Sequence, residues 1–432
     1  MRFRPEQIDR SQTPGQSTGP GKDELRQGVI HTEVSPAVAR VMIGVFLAIV
    51  FGIPVHQMCV DLLNRQRPSA QNLFANGRFP TRSDLRQFED AIQEQSSAIR
   101  FCQPRFGELI TAWGGFGSTN IVVGRHGWLF YRPGIDSVTG SGFLDPQTLR
   151  RRTRNWRDAA ATEAVVPDPR PAILQFKRQV EAAGARLILL PIPDKASLQG
   201  SELSTRIGTG SPAQNPSFTR FIEELRAAGV EVLGPSPTLI RPGEIRYLAQ
   251  DTHWTPQWMD EVSNALAQRV RPHLDQDVAR LLRLEPTAVQ GVGDLTEMLR
   301  LTERQRLFPP QSVTIQRVLD SSGERLRPDP QSQVLLLGDS FTNIYSAKPM
   351  GWGDGAGLAE HLSYHLGRPI DWIARNDAGA HATREMLAGQ LAQGKNRLAG
   401  KKVVIWQFAA RELALGDWRM VPMGNMAGDS RQ

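Results

Sequence analysis

Residues 334–343 read VLLLGDSFTN. Four aliphatic residues, Val334 to Leu337, run into Gly338-Asp339-Ser340-Phe341 before the chain turns polar. A short unbroken apolar run bounded by turn formers predicts a strand buried on both faces, as in a parallel sheet. Gly, Asp and Ser are each turn residues in their own right, so the tripeptide also fits a plain strand-ending turn. A serine at the carboxyl end of a parallel strand, however, lies where open α/β sheets build their sites. Its hydroxyl is a weak nucleophile until a base removes the proton. Ser340 is therefore a candidate only if the rest of the chain supplies a histidine and an orienting acid.

Outward from this strand, helix-like and strand-like segments alternate. PAILQFKRQVEAAGA (171–185), PSFTRFIEELRAAG (216–229), TPQWMDEVSNALAQRVRPHL (255–274), GAGLAEHLSYHLG (355–367) and ATREMLAGQLAQG (382–394) have helical character. Thr255 and Pro256 supply a cap and a first-turn proline. RLILLPIP (186–193), VEVLGP (230–235), PIDWIARN (369–376) and KKVVIWQFAAR (401–411) read as strands, and NIVVGRHGWLFYRPG (120–134) as strand character around a Gly124/Gly127 turn. The alternation predicts an α/β fold, a parallel sheet flanked by helices. Residues 275–330 break the rhythm and read as an insertion; 61–117 read as a connector and 416–432 as a C-terminal tail.

The chain has 432 residues, 40% hydrophobic and 22% charged, with a net charge of +7. That is a globular composition with room for one large or two medium domains. The basic excess suits a membrane surface or an acidic polymer, or is a compositional habit without functional meaning. No zinc spacing, Walker loop or nucleic-acid motif accompanies it, so no metal, cofactor or nucleic-acid partner is expected. Cys59 and Cys102 form no CxxC pair or disulfide framework.

Near the start, VMIGVFLAIVFGIPVHQMCV (41–60) carries no Asp, Glu, Lys or Arg. Twenty helical residues span about 30 Å of hydrocarbon. The reading is an uncleaved transmembrane signal anchor over 37–60, its far end weakened by Gly52, Pro54, His56 and Gln57, behind a disordered cytoplasmic tail at 1–36. Flanking positive charges tie, with Lys22, Arg26 and Arg40 before the span and Arg65, Arg67 and Arg78 after it. Orientation thus rests on the general rule that a single early anchor exports the domain that follows.

The missing partners of Ser340 lie upstream in YLAQDTHWTP (247–256). In an extended segment, Asp251 and His253 point to the same side, so the carboxylate can fix the tautomer and leave the other ring nitrogen for a nucleophile. Among the other histidines, His381 is the main rival, with Asp377 nearby. His361 and His365 are four apart without an HExxH pattern or a third ligand in sequence, which favours packing or surface roles; His126 lies in a turn.

DTHW followed by LLLGDSF, with GWLFYR before and NDAGAHATREML and VVIWQFAARE after, resembles the alginate O-acetyltransferase family of SGNH-like proteins, AlgJ and AlgX, over roughly residues 120–415. The resemblance implies a circularly permuted SGNH domain at 118–415, with the acid–histidine pair preceding the serine. Carried over by motif, Ser340 is the nucleophile, His253 the base and Asp251 the orienter. The chain ends about twenty residues after Arg411, too soon for the carbohydrate-binding module of AlgX-like members, so it looks closer to AlgJ. The resemblance further implies a polysaccharide acceptor, a membrane-bound O-acyltransferase as acetyl donor, and a periplasmic domain on the bacterial inner membrane. The Ser340 backbone N–H and Asn376 are the expected oxyanion donors; for Asn376 a plain strand-ending role is the alternative. Lys195 in PIPDKASL and Arg411, just past strand ends, either bind the polymer or are solvated charges, and Trp254 either stacks on a sugar or packs. An acetyl esterase or an inactive polysaccharide-binding component remain as alternative functions.

Overall fold

The computed structural model describes residues 35–64, 79, 81, 82, 84–86, 89, 96–157, 165–208, 212–234, 243–276, 280–376 and 379–424. The tail expected at 1–36 lies outside them except for its last two residues, as do most of 61–96, Asp377 and everything past 424. The chain divides into two compact units, residues 1–101 and 102–432.

In the first unit, helix α1 (Pro36–Leu63) starts on a Ser35 cap whose hydroxyl accepts the Val38 N–H, and Pro36 stands in its first turn. Among the described residues it is the one helix long and apolar enough to cross a membrane, and none of its most apolar window is buried. The helix runs through Pro54 rather than ending near it. Its last turns bury two polar residues, Gln57 and Asp61, whose side chains are joined at 2.6 Å.

The second unit holds strands β1 (Ile121–Val123), β2 (Leu129–Tyr131), β3 (Arg186–Ile192), β4 (Glu231–Val232), β5 (Arg283–Gly291), β6 (Gln311–Leu319), β7 (Val334–Gly338), β8 (Asp371–Ala374) and β9 (Val403–Ala409). Five of them form a parallel sheet in the order β4-β3-β9-β7-β8. The last strand in sequence thus sits at the centre, between β3 and β7.

The aliphatic runs are continuous because both faces are covered. Leu336 of β7 and Ile405 of β9 face a core shared with helices α4 (Pro256–Val270) and α5 (Leu358–Leu366). Their neighbours Leu335, Leu337, Val404 and Trp406 face the opposite core, built with α2 (Pro169–Ala182), α3 (Phe218–Ala227) and α6 (Ala382–Ala392). Leu335, Leu336 and Leu337 are fully buried. Truncating one such leucine to alanine typically costs about 2–5 kcal/mol.

Residues 275–330, which read in sequence as an insertion, contain a long antiparallel pair, β5 with β6, and a short helix, Asp294–Met298. β1 and β2 form a hairpin turned at His126 and Gly127, both with positive φ. The reading of 416–432 as a tail needs correction over its described part. Trp418 is fully buried, its ring 5.6 Å from Trp406 and 5.3 Å from Phe408, because a large aromatic side chain here completes the core over β9.

Candidate active site

Each residue of the Gly338-Asp339-Ser340 turn has its own reason. A Cβ at Gly338 would stand 2.1 Å from Thr342 Oγ1, so no larger residue fits. Asp339 caps the short helix Ser340–Asn343 by accepting the Phe341 N–H at 2.9 Å. The same carboxylate accepts from Gln407 Nε2 at 2.7 Å and from the Ala409 N–H at 2.8 Å, which ties the turn to the central strand β9. Gln407 closes the loop by accepting the Asp339 N–H and the Thr342 hydroxyl. Ser340 is left as the one member of the tripeptide that the scaffold does not use. It is 8% exposed at the carboxyl end of β7.

The acid and histidine come from a tight loop pinched by the Tyr247–Trp254 bridge just before α4, whose cap is Thr255. The local geometry differs from an extended segment. Asp251 Oδ1 accepts the His253 backbone N–H at 2.9 Å, an Asx-type turn, and meets His253 Nδ1 at 2.6 Å. Asp251 Oδ2 accepts the Trp352 indole N–H at 2.8 Å and the Asp294 backbone N–H at 3.1 Å. Although burial works against its charge, these bonds and the adjacent His253 hold the Asp251 carboxyl down at about 2. Burial likewise opposes the imidazolium of His253, but Asp251 outweighs it and raises the ring above its ordinary pKa.

His253 Nε2 is buried and has no hydrogen-bond partner. Buried polar atoms are paired with few exceptions, so an orphan needs an explanation. The ring lies 4.8 Å from that of Phe341, the residue after Ser340, but no hydrogen bond joins Nε2 to Ser340 Oγ. Asp294 adds a second acid. It accepts the Thr252 N–H at 2.8 Å and the Thr252 hydroxyl, and its Oδ2 lies 4.0 Å from His253 Nδ1. Burial and the nearby Asp251 charge push its carboxyl up to about 6.

The remaining sequence candidates are placed as follows. Lys195 is buried beneath the acid–histidine loop, where its ammonium donates to the carbonyls of Ala249 at 2.9 Å and Asp251 at 3.0 Å. It lies 5.0 Å from the Trp128 ring and 5.2 Å from that of Phe130, and burial draws its pKa down to about 7. Arg411 is half-buried, 3.7 Å from Asp194 and 5.6 Å over the Tyr131 ring. Burial opposes its charge, yet Asp194, Asp339 and Glu412 raise its pKa. Asn376 accepts from Asn343 Nδ2 at 2.9 Å and directs one amide N–H at Met350 Sδ. Trp254 is fully buried and packs edge-on against Trp258 and Phe341. His381 faces the Asp417 carbonyl at 3.2 Å.

The family described as SGNH hydrolase-like domain, acetyltransferase AlgX, matches residues 121–410, a span that holds Asp251, His253, Asp294 and Ser340. The chain belongs to the AlgX/AlgJ acetyltransferase family. Two AlgJ relatives, both named probable alginate O-acetylase, are similar over most of their length. The Pseudomonas putida protein is 24% identical over 313 residues, 69% of this chain and 71% of the relative. The Pseudomonas aeruginosa protein is 26% identical over 325 residues, 69% and 72% respectively. Among solved structures, the O-acetyltransferase domain of Pseudomonas putida AlgJ aligns with a TM-score of 0.49 at 21% identity, covering 68% of this chain and 92% of the domain.

Four residues around this candidate site escape a reading of motifs. Asp294 and Trp352 touch Asp251 from across the chain and have no local signal. Gln407 is legible in hindsight as the one polar residue in VVIWQFA. Asp194, next to Lys195, is buried, bonded to the Ser137 hydroxyl at 3.0 Å and pushed up to about 6 by burial.

Proposed function

We propose that this chain is an O-acetyltransferase that moves acetyl groups to hydroxyls of an exported polysaccharide through a serine acyl-enzyme. The observation that carries this reading is the orphaned His253 Nε2, held by Asp251 and set against the residue that follows Ser340. An imidazole fixed at Nδ1 with a bare Nε2 is a general base awaiting a hydroxyl. Catalytic hydrogen bonds often tighten only when substrate is bound, which accommodates a serine not yet bonded to the ring.

In the first half-reaction His253 Nε2 takes the Ser340 proton as Oγ attacks the acetyl carbonyl. The tetrahedral intermediate collapses, the donor's oxygen leaves with that proton, and acetyl remains on Oγ. A sugar hydroxyl then attacks the ester, giving its proton to Nε2, and collapse returns the proton to Ser340 as the acetylated sugar departs. The Ser340 N–H, in a first helical turn where no intrahelical acceptor exists, suits the developing oxyanion. The second Asn376 N–H is our choice for the other donor. We assign Arg411 to the acceptor polymer; Lys195 instead braces the Asp251 loop from below.

The order of acid and histidine before serine fits a circularly permuted SGNH arrangement. We read α1 as an inner-membrane anchor with the following domain in the periplasm, where a membrane-bound O-acyltransferase supplies acetyl. The test incubates the full chain in detergent with an acetyl-ester donor and a glycan acceptor, and measures acetylated glycan against free acetate. Glycan acetylation exceeding acetate release supports the reading. Acetate alone makes the protein an esterase, and neither product leaves it a binding component.

A further inference from the structure

A second acid–histidine group lies outside this site. Asp260 is in the second turn of α4, and His361 and His365 occupy successive turns of α5, which packs against it. His361 Nδ1 and His365 Nε2 both lie 2.6 Å from one carboxylate oxygen, Asp260 Oδ1. His361 Nε2 lies 2.9 Å from the carbonyl oxygen of Gln316 on β6. A carbonyl only accepts, so Nε2 carries the proton, and in the neutral ring Nδ1 is a bare lone pair. A lone pair aimed at a carboxylate oxygen repels it unless something positive stands between them.

A divalent cation between the rings and the carboxylate supplies that charge, and the His361 side chain that would bind it is only 2% exposed. A bond from the far ring nitrogen to a carbonyl is the outer contact that metal-binding histidines make. Two imidazole nitrogens and a carboxylate oxygen are the donors that borderline ions such as zinc prefer, while calcium and magnesium prefer oxygen alone. Asp260 is 41% exposed, which leaves an entry path and room for a water as fourth ligand.

We propose that Asp260, His361 and His365 bind one divalent transition ion of the zinc class. The three donor atoms lie within 4.8 Å of one another. Ligand atoms on a tetrahedral zinc stand about 3.3 Å apart, so loading opens the shortest contacts by less than ~1 Å. The ion fastens α4, which starts three residues after His253, to α5 and, through the Gln316 bond, to the inserted hairpin. The proposal is independent of the acetyltransferase reading, because none of its residues is in that site.

The test uses the untagged full chain in detergent, stripped with a chelator and titrated with cobalt chloride, then zinc chloride. The expected result is one cobalt per chain at micromolar affinity or better, with visible d–d absorption that zinc abolishes and a melting temperature raised by about 3 °C or more. Asp260→Asn and His365→Ala, both at partly exposed positions, should weaken binding at least tenfold, and His361→Gln should do the same. His253→Ala should leave the cobalt spectrum intact; Asp251, His253 and Asp294 also cluster within 4.8 Å, so this variant separates the two groups. Millimolar binding only, a spectrum unchanged by Asp260→Asn and His365→Ala, or one abolished by His253→Ala would each overturn the proposal.

Discussion

Two aspartates of this chain hold histidines, and they do so in opposite ways. Asp251 grips a single ring by Nδ1, and the far nitrogen of that ring faces no partner. Asp260 meets two rings, and both nitrogens of His361 are engaged. Both pairings measure 2.6 Å, so distance does not separate them. The difference is the free nitrogen. A ring with one nitrogen fixed and one open can accept a proton from a hydroxyl, whereas a ring closed at both ends can brace helices or hold an ion but cannot act as a base.

The strongest way to break this comparison is to remove the open ring or the hydroxyl proposed to work with it. Ser340→Ala, His253→Ala and their double variant should each lose nearly all acetyl transfer while circular dichroism remains native. The losses should be similar rather than additive, because members of a triad act as a unit. Multiplying effects, or full activity in Ser340→Ala, would remove Ser340 and His253 from the mechanism. Asp251→Asn should come next, with a loss on the order of ten-thousand-fold, since the amide favours the wrong tautomer. A loss under tenfold in steady-state assays would make Asp251 a structural residue.

A smaller effect sharpens the electrostatic side of the comparison. As the proposed base, His253 must be neutral to work, and Asp251 raises its pKa, so the proton stays on to higher pH than on a free ring. The acid limb of kcat/KM should therefore have its midpoint above about 6.5, the ordinary histidine value. Activity falls about tenfold per pH unit below that midpoint. The linked stability has the opposite sense: a raised His253 pKa stabilises the fold at low pH, and this contribution is lost as pH rises through the folded value. A midpoint below 6.5 would mean that desolvation, not Asp251, governs the ring.

The smallest activity change is expected at the histidines outside the Ser340 site. His361→Ala and His381→Ala should retain transfer within about fivefold. His361→Ala should still lower stability by about 1–3 kcal/mol in denaturant unfolding, because it removes a buried side chain together with its bonds to Asp260 and Gln316. If His381→Ala matched His253→Ala in activity loss, His253 would not be the base.

The sequence by itself determined the features that depend on neighbours along the chain. The VLLL run specifies a strand buried on both faces, and the structure carries β7 from Val334 to Gly338. Gly338 and Asp339 specify the turn through local sterics and a cap two residues away. Asp251 and His253, one residue apart, find each other without help from the rest of the fold, although through an Asx-type turn and not an extended strand. Tertiary structure alone decided what is distant in sequence. It set β9 at the sheet centre and brought Trp352 to Asp251 across 101 positions and Asp294 across 43. It also carried His361 to Asp260, supplying a partner that the spacing of the two histidines does not contain. Lys195 gives the physical reason most plainly. A residue just past a strand end can point to solvent or under the neighbouring loop with the same local pattern. Only the packing of Trp128, Phe130 and the Asp251 loop around its ammonium turned it inward.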